Sequence, residues 1–133
     1  MIAVHQPMMA GYGNGHHQSF SVAEVLSGGI GGFGQAIPAG YHRYKVDWFW
    51  CTQFIVIYNR FFDKMLDYSF QDTDTADGVI SKLATNIMVI YPFISEQKDF
   101  GYSDVTQSNM EQQGKIREHF ARANKHMKSI SLK

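Results

Sequence analysis

Several clusters in this 133-residue chain hold residue types that carry chemistry elsewhere, and their spacing decides what each can do. Asp72, Asp74, Asp77 and Gly78 have the composition of a calcium loop. An EF-hand needs an acid or Asn in fifth place, Gly in sixth and a bidentate Glu in twelfth. Ala76, Asp77 and Leu83 stand there instead. The aspartates therefore read as caps, since the free amides and dipole of a following helix favour carboxylates.

Gly11, Gly13 and Gly15, and the run from Gly28 to Gly34, invite comparison with phosphate-binding loops. Neither follows a strand pattern, carries the Lys-Ser/Thr of a P-loop or fits GxGxxG at a helix start. The competing reading is backbone that passes close to another surface, where only glycine fits. His5, His16, His17 and His42 with Cys51 lack the HxH or HxxxH spacing that places two ligands on one face. No nucleophile elbow, HExxH or Cys-His signature is present. No catalytic residue, cofactor site or metal ligand is assigned, and the chain is expected to be non-catalytic.

The elements that must position these residues are read from charge and periodicity. Twelve basic and twelve acidic side chains cancel, which argues against nucleic-acid binding driven by net charge. Their placement is uneven. Residues 1–42 carry Glu24 as their single charge, residues 61–111 carry nine acids against three bases, and Lys115 to Lys133 carry six bases against Glu118. The lone Cys51 excludes an internal disulfide, and the first residues lack a secretory or transit pattern. A non-secreted protein of a reducing compartment, a membrane-associated complex or a virus particle is expected.

The fold expected is mainly α: about three helices and a long glycine-rich, largely irregular N-terminal arm. The arm covers residues 1–42, with nine of the twelve glycines and a short helix around Val22, Ala23, Val25 and Leu26 ended by Gly28 and Gly29. Residues 43–133 form a single helical domain. Its first helix is placed at about 46–68, because Lys45, Thr52, Asn59, Asp63 and Asp67 recur at seven, seven, four and four residues. The β-branched and aromatic run Phe54 to Tyr58 argues the other way. A second helix is placed at 78–90 on Ile80, Leu83, Ile87 and Ile90, and a third at 109–130. The third opens on a Ser108–Glu111 capping box and has a seam of Ile116, Phe120, Ala123, Met127 and Ile130.

Twelve of the seventeen residues from Val46 to Phe62 are apolar or aromatic. As a helix they span about 25 Å, short of the roughly 30 Å of a bilayer core, so burial against protein is favoured over spanning. Three helices cannot cover so many rings among themselves. The function expected is a non-catalytic structural or accessory subunit of a large multi-protein assembly, either an accessory subunit of a membrane complex or a minor virion structural protein. Its partners are other protein subunits, its own copies, or a membrane touched through residues 46–62. The expected contact rings are Trp48, Phe49, Trp50, Phe54, Phe61 and Phe62. The third helix adds Ile116, Phe120 and Met127 with the cations Arg122 and Lys125. The alternative is a small α-helical enzyme or ligand-binding module with a pocket walled by Trp48, Trp50, Phe54 and Tyr58, served by Asp47, Gln53 and Arg60. A weaker third reading is a salt-sensitive nucleic-acid contact through the C-terminal helix.

Overall fold

A computed structural model describes residues 2–4, 23–98 and 115–133. It corrects the expectation of a mainly helical chain: the fold is mixed α/β, a six-stranded mixed sheet with three helices. The strands are β1 (Ile2–Val4), β2 (Val25–Ser27), β3 (Ala36–Gly40), β4 (Arg43–Val46), β5 (Ile55–Tyr58) and β6 (Ile87–Ile90). Across the sheet they run β1-β5-β2-β6-β4-β3. The β1–β5 and β2–β6 pairs are parallel and the other neighbours antiparallel. The helices are α1 (Phe62–Leu66), which follows a 3-10 turn at Asn59–Phe61, α2 (Ala76–Leu83) and α3 (Ile116–Ser131).

The helix placed at 46–68 does not form. Val46 ends β4, residues 47–54 are irregular, and Ile55–Tyr58 is a strand inside the sheet. Three of its four residues are β-branched, and a strand gives such side chains room that a helical turn denies them. The alternation Ile55 and Ile57 buried, Val56 and Tyr58 half-buried, is the two-residue period of a pleated strand. The short helix expected around Val25 is replaced by β2, the third strand across, so the glycine-rich stretch contributes to the middle of the sheet. The seam placed at 78–90 divides: Ile80 and Leu83 lie on α2, whereas Ile87 and Ile90 belong to β6. The third helix is present as α3 from Ile116, while its expected first residues and capping box lie outside the described residues.

Strand register builds the core. Ile57, Val25, Ile87 and Val46 are cross-strand partners in one row, and Ile55, Ser27, Val89 and Tyr44 in the next, so both rows face the same side. Phe61, Ile80, Ala123 and Met127 join them from the helices in one buried cluster, with Ile30, Phe33 and Phe49 from the loops. Each such aliphatic or aromatic side chain, fully buried, contributes about 1.5–3 kcal/mol. At the sheet edge, Pro38 sits in β3, where no partner strand requires its missing amide proton.

Candidate functional site

Two loops leave the sheet side by side, residues 28–35 after β2 and residues 47–54 after β4. They continue pairing beyond the strands. Gly31 N donates to Trp50 O at 2.9 Å, Trp50 N to Gly32 O at 3.2 Å, and Gly28 N to Phe54 O at 3.1 Å. Asp47 fixes one end, its Oδ1 accepting the amides of Gly34 and Gln35 at 3.0 Å and of Trp48 at 2.9 Å. From the other side α2 holds the same loop: the Phe49 amide donates to Ser81 Oγ at 3.1 Å and the Cys51 amide to Asp77 Oδ2 at 2.9 Å.

Held this way, Phe49 points into the core and is 1% exposed, while its neighbours Trp48 and Trp50 face outward into a cleft of about 190 Å³. Gly31, Gly32 and Phe33 line it from the first loop, and His119, Arg122, Ala123 and His126 from α3. The rings form two groups. Trp48 and Trp50 have centroids 5.1 Å apart at 52°, Trp50 meets His119 edge-on at 5.6 Å, and Phe33 stacks on His126 at 4.5 Å. Glycine is required at residue 32, where a Cβ would stand 2.5 Å from Trp50 Cε3. One wall is thus aromatic, the other carries a guanidinium and two imidazoles.

Cys51 lies behind this floor, not in it; a Cβ on Gly31 would approach its Sγ to 3.0 Å. Burial and the neighbouring Asp77 carboxylate push its thiol up to about 11, against the opposing pull of a hydrogen bond with the Gly31 backbone. It is therefore a protonated, unreactive thiol at neutral pH. Glu24, 6% exposed, is likewise engaged structurally. Its carboxylate accepts the Thr85 amide at 2.7 Å, Thr85 Oγ1 at 2.8 Å, the Asn86 amide at 3.0 Å and Lys64 Nζ at 2.8 Å. Burial works to raise its pKa, but the bonds from Lys64 and Thr85 outweigh burial and hold it below 4.5.

The residues singled out in the sequence divide clearly. Phe49, Phe61, Phe120 and Met127 are at most 2% exposed and belong to the interior. Phe62 and Ile116 are half-buried, and Phe54 closes over Gly28. Trp48, Trp50 and Arg122 meet at the cleft; Lys125 is exposed on α3. Phe54 and Tyr58, expected as further pocket walls, do not line it. Gln53 donates to Gly29 O at 2.8 Å, Arg60 to Ala23 O at 3.1 Å, and neither is a lining residue. Of the aspartates singled out, Asp74 accepts the Gln71 amide and the Tyr68 hydroxyl and Asp77, inside α2, accepts the Cys51 amide, while the helix is capped by Thr75 through Gly78 N at 3.3 Å. His42 is exposed at the β3–β4 turn, and His5, His16 and His17 lie outside the described residues. Phe33, His119 and His126 were missed. The spacing of His119, Arg122 and His126, three and four residues apart, was the available signal that they share one flank of a helix.

No helix among the described residues is long and apolar enough to cross a membrane. Neither a family model, a characterised protein nor a solved structure matches the chain.

Proposed function

We propose that this protein is a non-catalytic binding subunit of a larger assembly, and that the cleft between Trp48–Trp50 and α3 is its recognition surface. The observation that carries this reading is Trp50. The residue is 47% exposed, yet its backbone amide and carbonyl are both bonded to the glycine loop and its ring is seated on Gly32. Leaving so large a ring open to water forgoes burial that the core extracts from Phe49 next door, and a bound partner recovers it. The core also absorbs Phe49, Phe61, Phe120 and Met127, so of the expected contact residues it is Trp48, Trp50 and Arg122 that meet at one cleft.

A non-catalytic role is supported by the lining itself. It offers two imidazoles and a guanidinium but no hydroxyl, thiol or carboxylate to serve as nucleophile or to orient an imidazole. Trp48 and Trp50 are the chain's two tryptophans, so intrinsic fluorescence reports on this cleft alone. The test is a titration of the purified chain with oligonucleotides, oligosaccharides and short acidic or aromatic peptides, followed by tryptophan emission. At least one class shifts the emission saturably in the native protein and fails to bind Trp50→Ala, whose fold is checked by circular dichroism. A ligand bound equally well by Trp50→Ala, or silence from every class, would rule the cleft out as the recognition surface.

A further inference from the structure

We infer that the cleft takes single-stranded nucleic acid, with a base against Trp50 and the adjoining phosphates along α3; this rests on the reading of the cleft as the recognition surface. The net charge of zero hides a local excess. From Lys115 onward six bases stand against one acid, and Lys115 at the N-cap, His119, Arg122 and His126 recur at four, three and four residues, which places them on one side of the helix. That side is the one turned to the cleft, since His119, Arg122 and His126 line it. Among the described residues no carboxylate pairs with Arg122 or Lys125. A helix of sixteen residues is about 24 Å long, enough to follow several phosphates of an extended strand.

The occupant must use both walls. A base offers a flat face for stacking on an indole and a phosphate for a guanidinium, the combination that non-sequence-specific single-strand binders employ. A neutral sugar leaves the cations without a counterpart. An acidic peptide meets the rings only where it also carries an aromatic side chain, whereas every nucleotide carries both groups. A duplex keeps its bases stacked inside, out of reach of Trp50. At about 190 Å³ the cleft is smaller than the roughly 300–1,000 Å³ of an enclosed small-molecule pocket, so it suits one unit of a polymer that continues outside.

The experiment is fluorescence anisotropy with fluorescein-labelled oligothymidylate and oligouridylate of about twelve nucleotides, and with a duplex of equal length, on the full chain. Single strands bind with quenching of tryptophan emission and the duplex binds more weakly. Trp50→Ala weakens binding at least about tenfold, Trp50→Phe retains most of it, and Lys82→Ala, away from the cleft, leaves it unchanged. Affinity falls about twentyfold from about 50 to about 200 mM salt for three phosphate contacts, and Arg122→Gln makes that dependence shallower. Should Trp50→Ala unfold, the salt slope of Arg122→Gln decides alone. Absence of oligonucleotide binding at low salt, with another ligand class still shifting the tryptophan emission, overturns this inference and leaves the cleft as a recognition surface. Oligonucleotide binding undiminished in both Trp50→Ala and Arg122→Gln overturns both.

Discussion

Trp50 rests on Gly32: a Cβ at residue 32 would stand 2.5 Å from Trp50 Cε3, 3.0 Å from Cζ3 and 3.2 Å from Cδ2. The ring has no inward path, because Gly31 and Trp50 are joined by a backbone bond of 2.9 Å. Gly32→Ala must therefore turn the indole away from the floor of the cleft. The expected outcome is a red-shifted tryptophan emission and loss of cleft ligands, with stability lowered by only about 1 kcal/mol because the displaced ring is already half in water. Emission and binding identical to the native protein would show that the seat is not needed.

Gly29 faces a harder obstacle. A Cβ there would lie 1.9 Å from the Ser95 carbonyl oxygen, which is backbone, and the Ile94 and Ser95 amides both donate to Gly28 O and hold that segment in place. Gly29→Ala is expected to cost about 3 kcal/mol or more, well beyond Gly32→Ala. Urea unfolding of the two variants side by side checks the order; equal midpoints contradict it.

The Glu24 carboxylate connects the residue before β2 with the α2–β6 connection and with α1, where Lys64 meets it at 2.8 Å. Glu24→Ala leaves the Thr85 and Asn86 amides without their acceptor, at an expected loss of about 2–4 kcal/mol. The pH dependence follows from the sign of its shift. Since the folded pKa lies below 4.5, the stability Glu24 contributes is complete above that value and is lost as pH falls through the lower folded one. Denaturant titrations across the acidic range should show a decline in the native protein that is flatter in Glu24→Gln; parallel curves would refute the assignment.

Cys51 is held neutral, and here the window is alkaline. Its pKa is about 11 folded against 9.0 ordinarily, so the corresponding stability is intact below about 9 and drains away as pH rises toward 11. A disulfide reagent at neutral pH is expected to label the unfolded chain quickly and the native chain slowly. Cys51 also adopts a φ of 82°, a region that favours glycine. Cys51→Gly should consequently be at least as stable as Cys51→Ala, against the usual order; a clearly less stable glycine variant would mean that the backbone there carries no strain.

How much of this was legible before folding can be seen in particular residues. The seam of α3 was, because Phe120, Ala123 and Met127 repeat at helical spacing with no rival pattern, and all three are buried. Close packing at the glycine run was also readable, and Cβ positions at Gly28, Gly29, Gly32 and Gly34 are all obstructed. Residues 46–68 misled, because five polar side chains coincided with a helical period while Ile55, Val56 and Ile57 carried the contrary, local preference. Helix and strand compete closely in short apolar runs, and pairing with neighbours decides between them. For β5 those neighbours are β1 and β2, tens of residues away in the chain.

The same holds for the site. The ingredients are written in the residues: two tryptophans two positions apart, a glycine-rich loop, and a basic C-terminal helix within a neutral chain. So is the alternation that sends Trp48 and Trp50 one way and Phe49 the other once that stretch is extended. That the stretch is extended, that Gly31 and Gly32 lie beneath Trp50, and that His119, Arg122 and His126 close the opposite wall are products of folding. Those contacts join residues some twenty and seventy positions apart, and their energies enter only when the chain brings them together.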